Sequence, residues 1–150
     1  MASSVVAEIS PVLLLLKSNI SFNALIIEEP EAHLHPLLQV EMAKLIVLLV
    51  NNDIPIWITT HSDTILQHIN NMIKLHNNKE KESLFEEYGY DGFSTIDTER
   101  VNMYQFSCKE SGITEIAPLE STKYGFVVPT FNNALESITE EIVAFQEGLE

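Results

Sequence analysis

The stretch Ala24–Pro36, ALIIEEPEAHLHP, restricts the possible folds more than any other part of this chain. The apolar run from Ala24 to Ile27 is too short for a buried helix and suits a buried strand. It ends at two adjacent carboxylates, Glu28 and Glu29, and at Pro30, which stops any helix. The form returns at Ile56–His61, IWITTH, where a second apolar run also closes on a titratable tip. Between the two, Leu37, Leu38, Met42, Leu45, Ile46 and Leu49 fall on one broad helical face. Pro36 suits the first helical position, where its fixed φ and missing donor cost nothing. Strand, helix and strand at this spacing predict a right-handed crossover and parallel pairing. Glu28, Glu29 and His61 then arrive at one edge, outside the carboxyl ends of the strands, where open α/β sheets keep their ligands. Both runs are apolar almost throughout, the pattern of strands with helices on both faces.

Composition narrows the function classes. At 150 residues and 45% apolar content the chain fits one domain with a packed core. Eight Lys and Arg against 22 Asp and Glu give a net charge of −14. That charge opposes attraction to phosphate backbones and anionic membranes, so a nucleic-acid surface would have to come from a partner. A single cysteine, Cys108, cannot form an internal disulfide and is compatible with a reducing compartment. Apolar runs such as Val12–Leu16 are far shorter than the roughly 20 residues of a membrane span. No basic leader precedes a cleavable signal, and a cytoplasmic location is the default expectation.

The remaining segments follow from caps and periodicity. Ser3 and Ser4 suit the start of a helix running to Lys17, which Pro11 should kink or restart. Ser62 and Asp63 cap a helix to about Leu75, with Ile65, Leu66, Ile69 and Ile73 at helical spacing. Residues 77–100 read as a solvated connection with one helical turn at Ser83–Tyr88 and turns at Gly89 and Asp91-Gly92. Val101–Cys108 alternates as a strand, with Val101, Met103, Gln105 and Ser107 on one face and Asn102, Tyr104, Phe106 and Cys108 on the other. Lys109–Gly112 turns into a second strand, Ile113–Ala117. In the last helix, Thr130–Glu147, the residues Phe131, Leu135, Ile138, Ile142, Phe145 and Leu149 recur at alternating steps of four and three. Such a seam is coiled-coil-like, and docking on the chain's own sheet is the preferred reading. The implied organisation is a core over 1–76, a linker over 77–100, and a hairpin and helix over 101–150 completing the same domain.

From Ser3 to Leu75 the chain resembles ABC-type P-loop ATPases, in particular the AAA/OLD-like, RecF- and SMC-related branch whose Walker B segment reads EEPEAHLHP. The resemblance implies an α/β, P-loop NTPase-like half-domain with a mostly parallel sheet flanked by helices, plus the carboxyl-terminal hairpin and helix. It implies ATP hydrolysis at a composite site between two subunits. Glu28 would hold Mg²⁺ largely through water, Glu29 would be the base that orients the attacking water, and His61 would sense the γ-phosphate. Glu31–His35 would be the D-loop facing the opposite subunit, bringing Glu31 and His33 to the nucleotide. Ser3 and Ser4, in the signature region, would meet a partner's γ-phosphate at a positive helix terminus. No GxxxxGK[ST] phosphate loop occurs in the sequence. The chain therefore looks like the carboxyl-terminal half of a larger ATPase, binding ATP and Mg²⁺ weakly or not at all without an amino-terminal half or a second copy.

Other readings compete. One is a regulatory or assembly module that keeps the ATPase fold without catalysis. Metal-dependent hydrolysis by Glu and His is a third, with an incomplete ligand set: His33 and His35 are two apart, and no Cys or further His nearby completes a zinc site. Trp57 reads as core and Cys108 as a half-buried strand residue, while His68 and His76 receive no role.

Overall fold

Two short apolar runs and two capped helices build the part of the molecule that carries the acidic tip. The computed structural model describes residues 2–109 and 112–147. In chain order the elements are α1 (Ala2–Lys17), β1 (Leu25–Glu28), α2 (Pro36–Asn51), β2 (Ile56–Thr59), α3 (Asp63–His76), α4 (Lys81–Tyr88), β3 (Tyr104–Cys108), β4 (Thr114–Pro118), the two-residue strands β5 (Ser121–Thr122) and β6 (Gly125–Phe126), and α5 (Pro129–Glu147). The chain divides into two compact units, one running to Arg100 and including Lys123–Gly125, the other comprising Val101–Thr122 and the residues from Phe126 onward.

In the first unit β1 and β2 pair in parallel, with Leu25 opposite Ile56 and Glu28 opposite Thr59. Leu25, Ile27, Ile56 and Ile58 are half-buried on one face, and α2 packs against β2. The opposite face is bare: the cross-strand neighbours Ile26 and Trp57 are 72% and 71% exposed. Among the described residues of this unit, helices therefore cover one side of the sheet and not both, and Trp57 is a surface residue, not a core one. An apolar strand reads alike whether its second face is covered or not. The outer edge of β2 likewise carries no strand among the described residues.

The core of this unit is the packing of α2 on α3. Met42, Ala43, Ile46, Val47 and Leu49 of α2 are buried, as are Ile65, Ile69, Met72, Ile73 and Leu75 of α3. Each large side chain so buried stabilises by roughly 1.5–3 kcal/mol relative to exposure. Leu37, expected on the apolar face, is exposed in the first turn of α2. His35 caps α2, its Nδ1 accepting from the Leu37 N–H at 3.4 Å, and Pro36 takes the first helical position. Ser62 caps α3, its Oγ accepting from the Ile65 N–H at 3.1 Å. These caps fix where both helices begin. α1 is one helix through Pro11. It begins at Ala2, which puts Ser3 and Ser4 inside its first turn; their side chains lie outside the described residues.

Residues 77–100 are more ordered than an open connection. α4 ends at Gly89, whose φ of 67° is the left-handed conformation that closes helices. Thr95 and Ile96 are buried. Asn51 Nδ2 donates to the carbonyls of Phe93 and Thr95, and Arg100 donates to the Val50 carbonyl at 2.7 Å and to Asp53. These bonds fold the segment back onto the end of α2.

In the second unit β3 and β4 form an antiparallel hairpin, with Tyr104 opposite Pro118, Phe106 opposite Ile116 and Cys108 opposite Thr114. Gln105 and Ser107 are half-buried, while Tyr104, Phe106 and Cys108 are exposed, so Cys108 is more open than expected. Ile138, Ile142 and Phe145 of α5 are also exposed. Over these residues the helix is not docked on its own sheet. The side chains of Phe131, Leu135 and Leu149 lie outside the described residues.

Candidate functional site

The ladder between β1 and β2 continues one residue beyond Glu28, because the Glu29 N–H donates to the Thr59 carbonyl at 2.9 Å. There the chain turns sharply: Glu29 has φ 45° and His33 φ 59°. A non-glycine residue in that region costs about 1–2 kcal/mol, so the surrounding bonds must hold it. They do: the Ala32 N–H donates to the Glu29 carbonyl, the Leu34 N–H to the Glu31 carbonyl, and Pro30 and Leu34 are buried. The result is a tight cap on the end of β1.

From this turn Glu29 reaches toward the tip of β2. Its Oε1 lies 3.7 Å from His61 Nε2, with the two side chains 57% and 88% exposed. So exposed a pair is worth little to stability. Its two groups are nevertheless open to a reactant from the solvent side. Glu31 meets the same residue at its main chain: its Oε1 accepts from the His61 backbone N–H at 2.6 Å. Its Oε2 is buried without a hydrogen-bond partner among the described residues. A second tie joins the same two loops: Ser62 Oγ donates to Gln39 Oε1 at 2.6 Å, and Gln39 Nε2 donates to the Leu34 carbonyl at 3.0 Å. The loop after β1 and the loop after β2 are thus joined by side chains as well as by the ladder.

Residues 15–66 match the family model described as an AAA ATPase domain. The matched segment runs from the end of α1 through β1, α2 and β2 into α3, and contains Glu28, Glu29, Glu31, His33 and His61. The match supports an AAA-type ATPase family over about a third of the chain. No curated protein and no solved structure matched.

Within the matched segment, Glu29 and His61 come together, and Glu28 sits exposed at the end of β1 opposite Thr59. Glu31 is engaged with His61, His33 is exposed, and His35 is occupied in capping α2. Among the described residues no group of three or more His, Cys, Asp or Glu forms a metal cage. A Mg²⁺ ion held by one carboxylate, waters and phosphate oxygens needs no such cage, and Glu28 presents an exposed carboxylate at the end of β1. Sequence reasoning did not foresee Gln39 or the inward turn of Glu31. A lone amide in PLLQV, at the start of an apolar helix, was the signal available for Gln39.

A second polar group lies elsewhere in the first unit. Glu41, Lys44, Leu45, Leu48, Asp91 and Ser94 line a depression of about 240 Å³. Lys44 is paired with Glu41 at 3.1 Å and stands over the Tyr90 ring, and Tyr90 Oη is 3.4 Å from His68 Nδ1. Burial and the positive charge of Lys44 hold the His68 imidazole below its ordinary range, with Glu41 opposing. Asp91 is held below the usual carboxylate range chiefly by the Ser94 hydroxyl. None of these groups is among the residues that meet at the tips of β1 and β2.

Proposed function

We propose that this chain is the Walker B, D-loop and switch-histidine portion of an ABC-like AAA ATPase, hydrolysing ATP together with an amino-terminal half or a second copy. The observation that carries the reading is the 3.7 Å approach of Glu29 to His61 at the ends of two parallel strands, inside the matched segment. Glu29 orients a water and accepts its proton as the water attacks the terminal phosphate. His61 hydrogen-bonds that phosphate, and Glu28 would hold the cation, which would neutralise charge there. Bound Mg²⁺-ATP would supply the phosphoanhydride and the charge neutralisation. Ser3 and Ser4 act in trans in this reading.

The residues fit the water and cation side of the reaction and not the phosphate side. Glu28, Glu29, Glu31 and His61 make the tip acidic, and no phosphate loop occurs in the sequence to set backbone donors and a lysine against it. The partner must bring those donors. Among the described residues the outer edge of β2 carries no strand, which leaves a place for a partner's strand to continue the sheet.

The test is a titration with Mg²⁺-ATP of the chain alone and mixed with a phosphate-loop-bearing amino-terminal half. Turnover is expected only in the mixture. There, Glu29→Gln should lower turnover by about 10²–10⁴-fold while nucleotide still binds. Unchanged turnover in that variant would remove Glu29 from its role. That edge and the bare Ile26–Trp57 face also suit a second reading, an assembly module without catalysis. That reading expects partner binding that is indifferent to nucleotide and to Glu29→Gln.

A further inference from the structure

We propose that Glu31 is a positioning residue: its carboxylate grips the His61 backbone and so holds the imidazole beside Glu29. The consequence for catalysis rests on the ATPase reading, whereas the positioning itself does not. His61 lies just beyond β2, with its ring almost fully in solvent and Glu29 Oε1 3.7 Å from its Nε2. Where such a ring can reach is set by the position of its own backbone. That backbone N–H is held by Glu31 Oε1 at 2.6 Å, across thirty residues of sequence. A carboxylate accepting from a backbone N–H makes a stronger bond than a neutral acceptor does.

The arrangement is a poor device for stability. Glu31 Oε2 is buried with no hydrogen-bond partner among the described residues, so there one oxygen of the carboxylate is desolvated without compensation. What it gains is geometry. Glu29 and Glu31 belong to one turn, closed by the Ala32-to-Glu29 and Leu34-to-Glu31 bonds. Whatever places Glu29 therefore also places the acceptor that holds His61. The Gln39 bridge between Ser62 and the Leu34 carbonyl braces the same two loops from α2. Base and sensor are thus set by one rigid turn, not by two independent loops.

The experiment compares wild type, Glu31→Ala and Glu31→Gln of the full chain by ¹⁵N and ¹³C NMR with amide hydrogen exchange. Gln keeps an acceptor for the His61 N–H and puts a neutral amide where the orphaned oxygen lies, while Ala keeps neither. In Glu31→Ala the His61 amide proton should move upfield and exchange about ten- to a hundredfold faster. The His61 ring resonances should shift and lose their cross-peak to the Glu29 side chain, while the Val47 and Ile73 amides stay as in wild type. Glu31→Gln should restore the amide and ring signals. The proposal is overturned if the His61 ring and its Glu29 cross-peak are the same in Glu31→Ala as in wild type, or if Gln is as disruptive as Ala. Failure of the ATPase reading shows separately, as absent turnover in the wild-type mixture with the NMR differences intact.

Discussion

In the first unit α2 and α3 bury Met42, Ile46, Val47, Ile65, Met72 and Ile73, whereas in the second Tyr104, Phe106 and Ile116 of the hairpin and Ile138, Ile142 and Phe145 of α5 face solvent. The sequence patterns behind the two are equally regular. Helical spacing in α3 and the four-three seam in α5 are the same kind of signal, as are the alternation of β3 and the apolar run of β1. What differs is whether the chain supplies a complementary surface. Periodicity specifies a face; burial depends on what meets it. Folding free energy is therefore concentrated in the first unit, which also carries the acidic tip and its histidine.

Point changes can break or sharpen this contrast. Ile73→Ala removes a fully buried side chain and should destabilise by about 2–5 kcal/mol, read by urea unfolding followed by circular dichroism. Phe106→Ala in the exposed hairpin should stay within about 0.5 kcal/mol. Comparable losses in both would show that the second unit hides its apolar faces in solution.

Ser62→Ala removes the cap of α3 and the tie to Gln39, for an expected loss of about 0.5–2 kcal/mol. Faster amide exchange should appear in the first turn of α3 and spare the β3–β4 hairpin. Smaller still is Glu29→Gly. Relief of a positive φ, partly offset by the freedom glycine adds to the unfolded chain, should stabilise by about 0.5 kcal/mol. A loss on that change would mean that the Glu29 side chain supports the turn as well as facing His61.

The weakest effect concerns pH. The His68 imidazole is held below its ordinary 6.5 by burial and Lys44, so the unfolded chain takes up that proton more readily than the folded one. The stability it contributes is present above pH 6.5 and is lost as the pH falls through the folded value. The urea midpoint should decline on acidification across that window, and His68→Gln should flatten the decline. The side chain is partly open to solvent, which keeps the slope small.

Much of the first unit was legible in the sequence. β1, α2, β2 and α3 fall within about two residues of expectation, because each apolar run is bounded by residues with a local mechanism: Pro30, Pro36, Asn52 and Ser62. The meeting of Glu29 with His61 followed from parallel pairing. The direction of Glu31 did not, since its partner lies thirty residues away and a carboxylate beside a turn gives no local sign of turning inward. The buried Thr95 and Ile96 were also missed, because the Asn51 and Arg100 bonds that tie this segment down leave no periodicity to read. The two faces of the β1–β2 pair were indistinguishable for the reason already seen in α5.

That bare face has a practical use. Trp57 is the sole tryptophan of the chain, and it stands in water beside Ile26. Its fluorescence should peak toward the red and be readily quenched by iodide or acrylamide. A polypeptide settling over the indole would turn the emission blue and shield it, so docking there can be followed in a cuvette without any label.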